Sequence, residues 1–364
     1  MITLYSSFRT KEFSCSVPNV KFAMTYTRAR VTVTVGKNGD DFVIYDEFLF
    51  PDYSQFVELA DIDRLIEPWA QKWLIFQLDV HIEEQRLSDE VNGASSILYS
   101  NEKDLSCSVI SCKANIINTS AVDFCNSHFL TLLEGPKETA PGWAEYLQYI
   151  GTETPSCVVT LKNGETRSKS VPVMLQTDEW TLIDCSHDNF EVYGSSVVSY
   201  VITAGQRRQE FIVNHSADHD VAPVLLFYNS FGVQEMAYCT GTHQQVSSFD
   251  RKQARIGRLK KTYDMEEKER FKADTGYLTF PMANWWREVF RSSYVEVMLV
   301  YNGVVSLSSY LPIVITSEKA EISNEADHLP RYTFEYEYAD RNHNIFDARA
   351  EGRIFDNTFD NTFN

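Results

Sequence analysis

Alternation of apolar and polar side chains is the dominant pattern along this chain, and it predicts β-strands. Val31, Val33 and Val35 alternate with threonines, so the valines share one face of a strand over residues 29–35. Residues 331–338 alternate aromatic and polar side chains, which predicts a strand with one face on a core and the other in solvent. Most of the chain is therefore expected to form sheets that are buried on one side.

Asn-Gly pairs mark the turns of three predicted hairpins. Both residue types tolerate the positive φ that a two-residue hairpin turn requires, and each pair separates two runs rich in β-branched and aromatic residues. The turns are Asn38-Gly39, Asn163-Gly164 and Asn302-Gly303. The strands that they join are 29–35 with 42–50, 157–161 with 168–175, and 294–301 with 304–310.

Short helices interrupt these hairpins. Helical spacing predicts one after a cap at Asp61, shortened by Pro68, a second over 122–133, and a third over 282–290. Adjacent helical residues point about 100° apart. We therefore expect one of Trp285 and Trp286 to be core and the other to be available for an interface.

The pattern predicts a mainly β protein with two antiparallel β-sandwich or barrel-like domains, a few short helices and an extended C-terminal arm. Helices do not alternate regularly with strands, which disfavours a parallel α/β sheet. Glycine and proline cluster over residues 134–155, and this places the domain boundary at about residue 150. The predicted parts are an N-terminal β-rich domain over 1–150, a sandwich-like domain over 151–345 and an arm over 346–364.

The arm repeats the unit Phe-Asp-Asn-Thr and places phenylalanine at every fourth position. Phe355, Phe359 and Phe363 fall on one side of either a strand or a helix. A terminal segment this short cannot bury three aromatic rings against itself. We expect them to anchor on a partner subunit, and the alternative is a frayed end.

Composition excludes several functional classes. The net charge of −18 disfavours affinity for nucleic acid and for acidic membranes. The longest apolar runs, such as 221–228, last about eight residues against the roughly 20 of a membrane helix. No secretion signal is expected from the N-terminal sequence, and seven cysteines without CxxC spacing favour reduced thiols made in a cytosol.

One basic segment stands out against this negative background. No stacking aromatics interleave its cations, so nucleic-acid binding is disfavoured, and acidic residues follow from Glu266. We expect a basic strand or loop that pairs with an acidic neighbouring subunit, and the alternative is a solvated hairpin. Its residues are Arg251, Lys252, Arg255, Arg258, Lys260 and Lys261.

Candidate chemistry is weak throughout the sequence. Residues 214–220 hold two histidines and two carboxylates, ligand types for zinc, but they lie between two strands and are expected to form a polar loop. Asp184, His187 and Asp188 are close in sequence without any known catalytic motif. The acid pairs 40–41 and 83–84 are expected to be solvated charges, because adjacent strand residues face opposite sides. We predict no catalytic residue, cofactor or metal ligand, and an enzyme ranks last.

The C-terminal part of the chain resembles tail-tip proteins of tailed bacteriophages and prophages, especially those infecting gut Bacteroidetes. The segments that carry the resemblance are 224–232, the basic segment up to Tyr263, 275–278, 290–295, 311–315 and the aromatic strand 331–338. The resemblance implies a distal tail protein, a two-domain β-rich adaptor that forms a ring, commonly a hexamer. In that family the N-terminal part typically builds the ring and the C-terminal part is a β-sandwich at its periphery.

The expected function is therefore that of a non-enzymatic virion structural protein, a tail-tip or baseplate adaptor that links the tail tube to the host-recognition apparatus. Its expected partners are further copies in a homo-oligomeric ring and other tail proteins, namely tail tube, tape measure, and baseplate hub or receptor-binding protein. Synthesis in the host bacterial cytoplasm and location in the virion tail follow, without nucleic-acid recognition or membrane insertion. The alternative is a β-sandwich that binds a host glycan or receptor.

Overall fold

The computed structural model describes residues 2–87, 97–216, 223–256, 258–301, 304–319 and 329–340. Antiparallel sheets dominate these residues, together with three short α-helices, which confirms the predicted mainly β class. None of the described helices is long and apolar enough to cross a membrane. The predicted arm, with Phe355, Phe359 and Phe363, lies outside the described residues.

The chain forms two compact units, which divide between His128 and Phe129. The first contains residues up to 128 together with Ser230–Val233, and the second contains the rest. This division lies before residue 150 because two short strands ahead of that position pair inside the second unit. Residues 137–139 pair with 211–213, and 146–150 pair with 180–184. The glycine and proline cluster over 134–155 therefore marks turns between short strands.

The first unit holds two sheets and two helices. A three-stranded sheet has the order β1-β3-β6, and a five-stranded sheet has the order β2-β8-β7-β4-β5, in which β2 is parallel to β8. The strands are β1 Thr3–Leu4, β2 Lys11–Phe13, β3 Val20–Ala23, β4 Arg28–Lys37, β5 Asp40–Leu49, β6 Phe56–Leu59, β7 Ile75–Leu87 and β8 Ile97–Ile110. The helices are α1 Ile62–Ala70 and α2 Ala121–Ser127. α2 ends earlier than the predicted 133.

The valine face of β4 is the centre of the first core. Val31, Val33 and Val35 are fully buried, and the predicted hairpin is confirmed, with β4 paired to β5 around Asn38 and Gly39. Both turn residues have positive φ, 56° and 89°. Burial of three valines at roughly 2 kcal/mol each fixes which face of the strand points inward.

The second unit holds three sheets and one helix. The strands of the two smaller sheets are β9 Lys137–Thr139, β10 Tyr146–Ile150, β11 Ser156–Leu161, β12 Thr166–Ser170, β13 Val173–Gln176, β14 Trp180–Asp184, β15 Val197–Ala204 and β16 Arg207–Val213. The orders are β10-β14-β13 and β12-β11-β15-β16-β9. One buried cluster, including Tyr149, Val159 and Ile183, draws on both sheets, so they form the predicted sandwich.

The third sheet of this unit has seven strands in the order β18-β17-β21-β22-β23-β20-β19. Its strands are β17 Val224–Tyr228, β18 Gln234–Tyr238, β19 His243–Ile256, β20 Leu259–Asp274, β21 Val295–Tyr301, β22 Val304–Lys319 and β23 Thr333–Tyr338. The pairing of β21 with β22 confirms the third hairpin, whose turn residues 302–303 lie outside the described part.

Helix α3, Phe280–Arg291, packs on this sheet. Thr279 caps it by accepting a hydrogen bond from the Met282 N–H. Trp285 and Trp286 are both buried, so the expectation that one of them reaches an interface is wrong. The two rings project in different directions, but Trp285 contacts Phe227 of β17 and Trp286 contacts Phe334 of β23, so the same sheet covers both.

Glu84 on β7 corrects the expectation that the paired acids are solvated. Its side chain is buried and accepts hydrogen bonds from the backbone N–H groups of Thr25 and Tyr26 and from Asn101 Nδ2. Burial alone would raise the pKa of Glu84, but these hydrogen bonds outweigh it and leave the pKa below its ordinary value. The carboxylate therefore fixes the turn that precedes β4.

Replacement of Glu84 by alanine is expected to lower the free energy of unfolding by about 2–3 kcal/mol, because three part-buried donors lose a buried, charged acceptor. Glu83→Ala is the matched control: Glu83 is the neighbouring residue on the half-exposed face, where a change of within about 0.5 kcal/mol is expected. Urea denaturation followed by tryptophan fluorescence measures both. Equal effects of the two substitutions would contradict the structural role of Glu84.

Candidate interaction surface

A long hairpin leaves the seven-stranded sheet at its edge. β20 pairs with β23 only over residues 271–274, so 246–256 of β19 and 259–270 of β20 pair with each other and with no other described strand. We call residues 246–256 and 258–270 the ribbon. At about 3.3 Å per residue it extends roughly 30 Å beyond the last contact with the sheet.

The ribbon is exposed on both of its faces. Every side chain over residues 244–255 and 258–262 is exposed. Val246, Phe249 and Leu259 are 54%, 45% and 66% accessible. A two-stranded hairpin by itself is only marginally stable in water. This geometry is typical of an arm that is stabilised when another surface covers it.

All charged side chains in the outer half of the ribbon are cationic. Residues 251–262 contain six lysines and arginines and no acid, on a chain whose net charge is −18. Arg255 lies directly opposite Lys260 in the pairing. Like charges opposite each other destabilise a hairpin, and an acidic partner surface would relieve the repulsion. The six predicted basic residues are thus brought together at one end, which we call the cationic tip.

Pairing slips by one residue within the cationic tip, directly after Lys252. Lys252 lies opposite Asp264 and Gln253 lies opposite Thr262, which leaves Tyr263 as an extra residue on β20. A bulge of this kind bends the strand and increases its twist. The part of the cationic tip beyond the bulge is therefore turned relative to the inner half of the ribbon.

The root of the ribbon is held by an aromatic stack. The His243 ring lies 5.6 Å from Phe271 and 5.9 Å from Tyr336, and His243 Nε2 lies 2.9 Å from the Tyr336 hydroxyl. Nearby, buried Asp274 accepts hydrogen bonds from Arg331 Nε at 2.5 Å and from Thr333 Oγ1 at 3.1 Å. The ribbon thus has a fixed root and a solvated tip.

Sequence reasoning found the cations of the tip but missed the apolar residues of the ribbon. Val246, Phe249 and Leu259 lie within a stretch without Asn-Gly or proline, where Gly257 is the only turn residue between two long polar runs. A single glycine between two long runs without proline was the signal of a hairpin that could have found them.

A buried charge cluster forms the second polar feature of this unit. Lys137 Nζ donates to Glu145 Oε2 at 2.5 Å and to the Met236 carbonyl at 2.8 Å. Glu235 accepts from Trp285 Nε1 at 2.5 Å and from Asn229 Nδ2 at 2.9 Å. All three charged side chains are buried, so one cation faces two carboxylates.

This cluster joins the sandwich to the seven-stranded sheet. Lys137 and Glu145 come from the sandwich side, whereas Glu235 lies on β18. Burial raises the pKa of Glu145 to about 7, although Lys137 lies against it, and burial also raises the pKa of Glu235. Glu145 Oε1 is buried without a hydrogen-bond partner. Burial thus favours the protonated form of both carboxyl groups, while the Lys137 cation opposes it.

Histidine and carboxylate ligand atoms come together at one further place in the described residues. Those of His187, Asp188 and Glu191 lie within 4.8 Å of one another, and these residue types can bind zinc. Asp188 Oδ1 already accepts from the Gly142 N–H at 3.0 Å and lies 3.2 Å from His187 Nδ1. The hydrogen bond from Gly142 to Asp188 connects the loop before β10 to the segment that follows β14.

The other residues considered for chemistry form no catalytic arrangement in the described part of the chain, although the His215 ring lies 5.9 Å from that of His187. Asp184 accepts hydrogen bonds from the backbone and side chain of Ser186, so it does not orient His187 as a catalytic triad would require. His215 donates to the Val197 carbonyl at 2.7 Å. Asp218, His219 and Asp220 lie outside the described residues.

No protein-family model and no curated protein matches this sequence. Among solved structures, the Bacillus anthracis TIE protein is similar over 76% of this chain, with 10% identity and a TM-score of 0.16. The match covers 53% of that protein, so the chain spans about half of its length. A likeness at this level carries no argument for fold or function.

The buried glutamate gives the protein a pH-dependent stability. The pKa of Glu145 rises from an ordinary 4.5 to about 7 on folding, so the native state binds more protons than the unfolded state in this window. The free energy of unfolding should therefore fall as pH increases from 4.5 to about 7, by on the order of 3 kcal/mol.

Glu145→Gln should flatten this dependence, since the neutral amide cannot ionise, whereas Glu165→Gln at an exposed position should leave it unchanged. Urea midpoints at about pH 5 and about pH 8 provide the measurement. A pH dependence that survives in the Glu145 variant would assign it to other groups.

Proposed function

We propose that this chain is a non-enzymatic structural protein of a bacteriophage or prophage tail, a tail-tip or baseplate adaptor of the distal tail type. The observation that carries the proposal is the projecting ribbon with its cationic tip. The ribbon is an arm of roughly 30 Å that exposes apolar and charged side chains. Such an arm is suited to contact with another protein.

Charge supports self-assembly through local contacts. At a net charge of −18, copies of the chain repel each other over long distances. Association therefore requires a place where opposite charges meet, and the cationic tip provides one side of such a contact. Complementary charge at an interface also selects the partner and fixes the register.

The sheets support the same role. Open antiparallel sheets end in strands that can accept a neighbour, and proteins that assemble through edge strands use them in this way. The described exposed edges include β5, β12, β13 and β19. A β-rich two-unit body with several edges is suited to contacts with more than one partner.

The finer assignment comes from the resemblance of residues 224–338 to tail-tip proteins. On that basis the assembly is a homo-oligomeric ring, most simply a hexamer, in the virion tail. Its other partners are the tail tube, the tape measure, and the baseplate hub or receptor-binding protein. Phe355, Phe359 and Phe363 anchor the arm on a neighbouring subunit.

Mass measurement of the full chain tests this function. We expect an oligomer, formed by the chain alone or together with the other tail proteins. It should dissociate as salt is raised from about 0.1 M to about 1 M, since the screening length falls from about 10 Å to about 3 Å. A matched chain without residues 351–364 should associate more weakly. A strict monomer in every case, including mixtures with tail tube and baseplate proteins, would refute the proposal.

A further inference from the structure

The five-stranded sheet of the first unit ends in an exposed edge strand. β5 pairs with β4 and with no other described strand, so the backbone groups on its outer side face away from the sheet. Most of its side chains are exposed, including Val43 at 62% and Phe48 at 43%. Long exposed edges with apolar residues are usually covered or blunted in native proteins.

This edge carries acidic residues at both ends of the strand. Asp40 and Asp41 lie at one end of β5, Asp46 and Glu47 lie near the other, and the strand has no lysine or arginine. We call these four residues the acidic edge. Asp46 is held by Arg30 of β4 at 2.7 and 2.8 Å, and the other three carboxylates extend from exposed positions.

Negative charge continues from the edge onto the outer face of the same sheet. The valines of β4 point inward, and the residues of opposite parity point outward. The carboxylates on the outward face are Asp79, Glu83, Glu102 and Asp104, beside the histidine of β7 at position 81. Arg28 and Arg30 of β4 lie on the same face, but the carboxylates outnumber them, so the acidic edge borders a net negative surface.

We infer that the cationic tip of one copy docks on the acidic edge of a second copy, adding β19 to β5 as an intermolecular strand pair. The inference rests on the proposed function in one respect, namely that the chain assembles with itself. Both strands are edges, one at the end of each sheet. Backbone hydrogen bonds would supply affinity, and the opposite charges would select this edge over others.

The dimensions and the spacing of the charges are compatible. β5 has ten residues, and the free part of β19 covers residues 246–256. In an antiparallel register that places Glu47 opposite Arg251, Asp46 falls opposite Lys252. The same register brings Asp40 level with Arg258 at the turn. Two pairs of opposite charge thus form within the strands in a single register, and Arg258, which follows β19 at the turn, adds a cation near the Asp40 end.

The other exposed edges are poor acceptors for the cationic tip. β12 carries Arg167 and Lys169, so it would repel the tip. β13, with the sequence Val-Met-Leu-Gln, is exposed but uncharged, so it offers nothing that selects a cation. Among the described edges with largely exposed side chains, β5 is the one that matches in charge.

A contact between two different surfaces of the same chain repeats from head to tail. Each copy donates one tip and receives another, so no copy is complete alone. Such a heterologous contact closes into a ring when the rotation between copies divides a full turn, and otherwise forms a filament.

Two full-chain variants test the inference by charge reversal. The tip variant carries Arg251→Glu, Arg258→Glu and Lys260→Glu, and the edge variant carries Asp40→Lys, Asp41→Lys and Glu47→Lys. All six positions are exposed, so folding, checked by circular dichroism, should be unchanged. Each variant alone should lose self-association by about tenfold or more in analytical ultracentrifugation at about 0.1 M salt.

Mixing the two variants in equal amounts should restore association. The reversed tip then meets the reversed edge, and the native tip meets the native edge. A control with Lys162→Glu, Arg167→Glu and Arg208→Glu makes the same charge change as the tip variant at other exposed positions, and it should associate like the native chain.

The outcomes separate this inference from the proposed function. Variants that assemble normally, or a mixture that fails to reassociate, would overturn the docking of tip on edge while assembly itself stands. A native chain that is monomeric alone but assembles with another tail protein would also overturn it, because the occupant of the edge is then not a second copy. A native chain that assembles with nothing would end both proposals.

Discussion

Hydrogen bonding at the ends of open sheets is the constraint on which this architecture depends. The described fold is built from five separate sheets, and each has two end strands whose outer N–H and C=O groups need water, a cover or another strand. Some ends are largely buried, such as β9 and β18. β5 and β19 instead remain exposed, and they carry opposite charges. The arrangement of edges thus divides the surface into covered and available parts.

The interior shows the same acidic excess as the surface. Lys137 lies between two buried glutamates, where the desolvation of three charged groups is offset only by close contact and by the donors Asn229 and Trp285. Such a cluster is a poor source of stability compared with apolar packing, but it tolerates few alternative geometries. It therefore specifies how β18 sits against the sandwich.

Local patterns in the sequence predicted the parts of this fold that depend on neighbours in the chain. Alternation identified the buried face of β4, and Asn-Gly pairs identified three hairpins, because turn chemistry acts over two to four residues. The role of Glu84 was missed because its donors lie at Thr25, Tyr26 and Asn101, far away in sequence. The unit boundary was displaced for the same reason, since β9 pairs with β16.

The ribbon illustrates what local sequence patterns can and cannot predict. Its cations were evident from the sequence, but its projection depends on where β23 stops pairing with β20, which no local pattern records. Because the His243 stack fixes the ribbon at one end, a small rotation there produces a larger displacement at the tip. A rotation of about 10° at its root moves the tip by about 5 Å, given a length of roughly 30 Å. An assembly joined through such ribbons can change its curvature while each joint stays closed, so its stiffness is set at the root of the ribbon and not at the contact between copies.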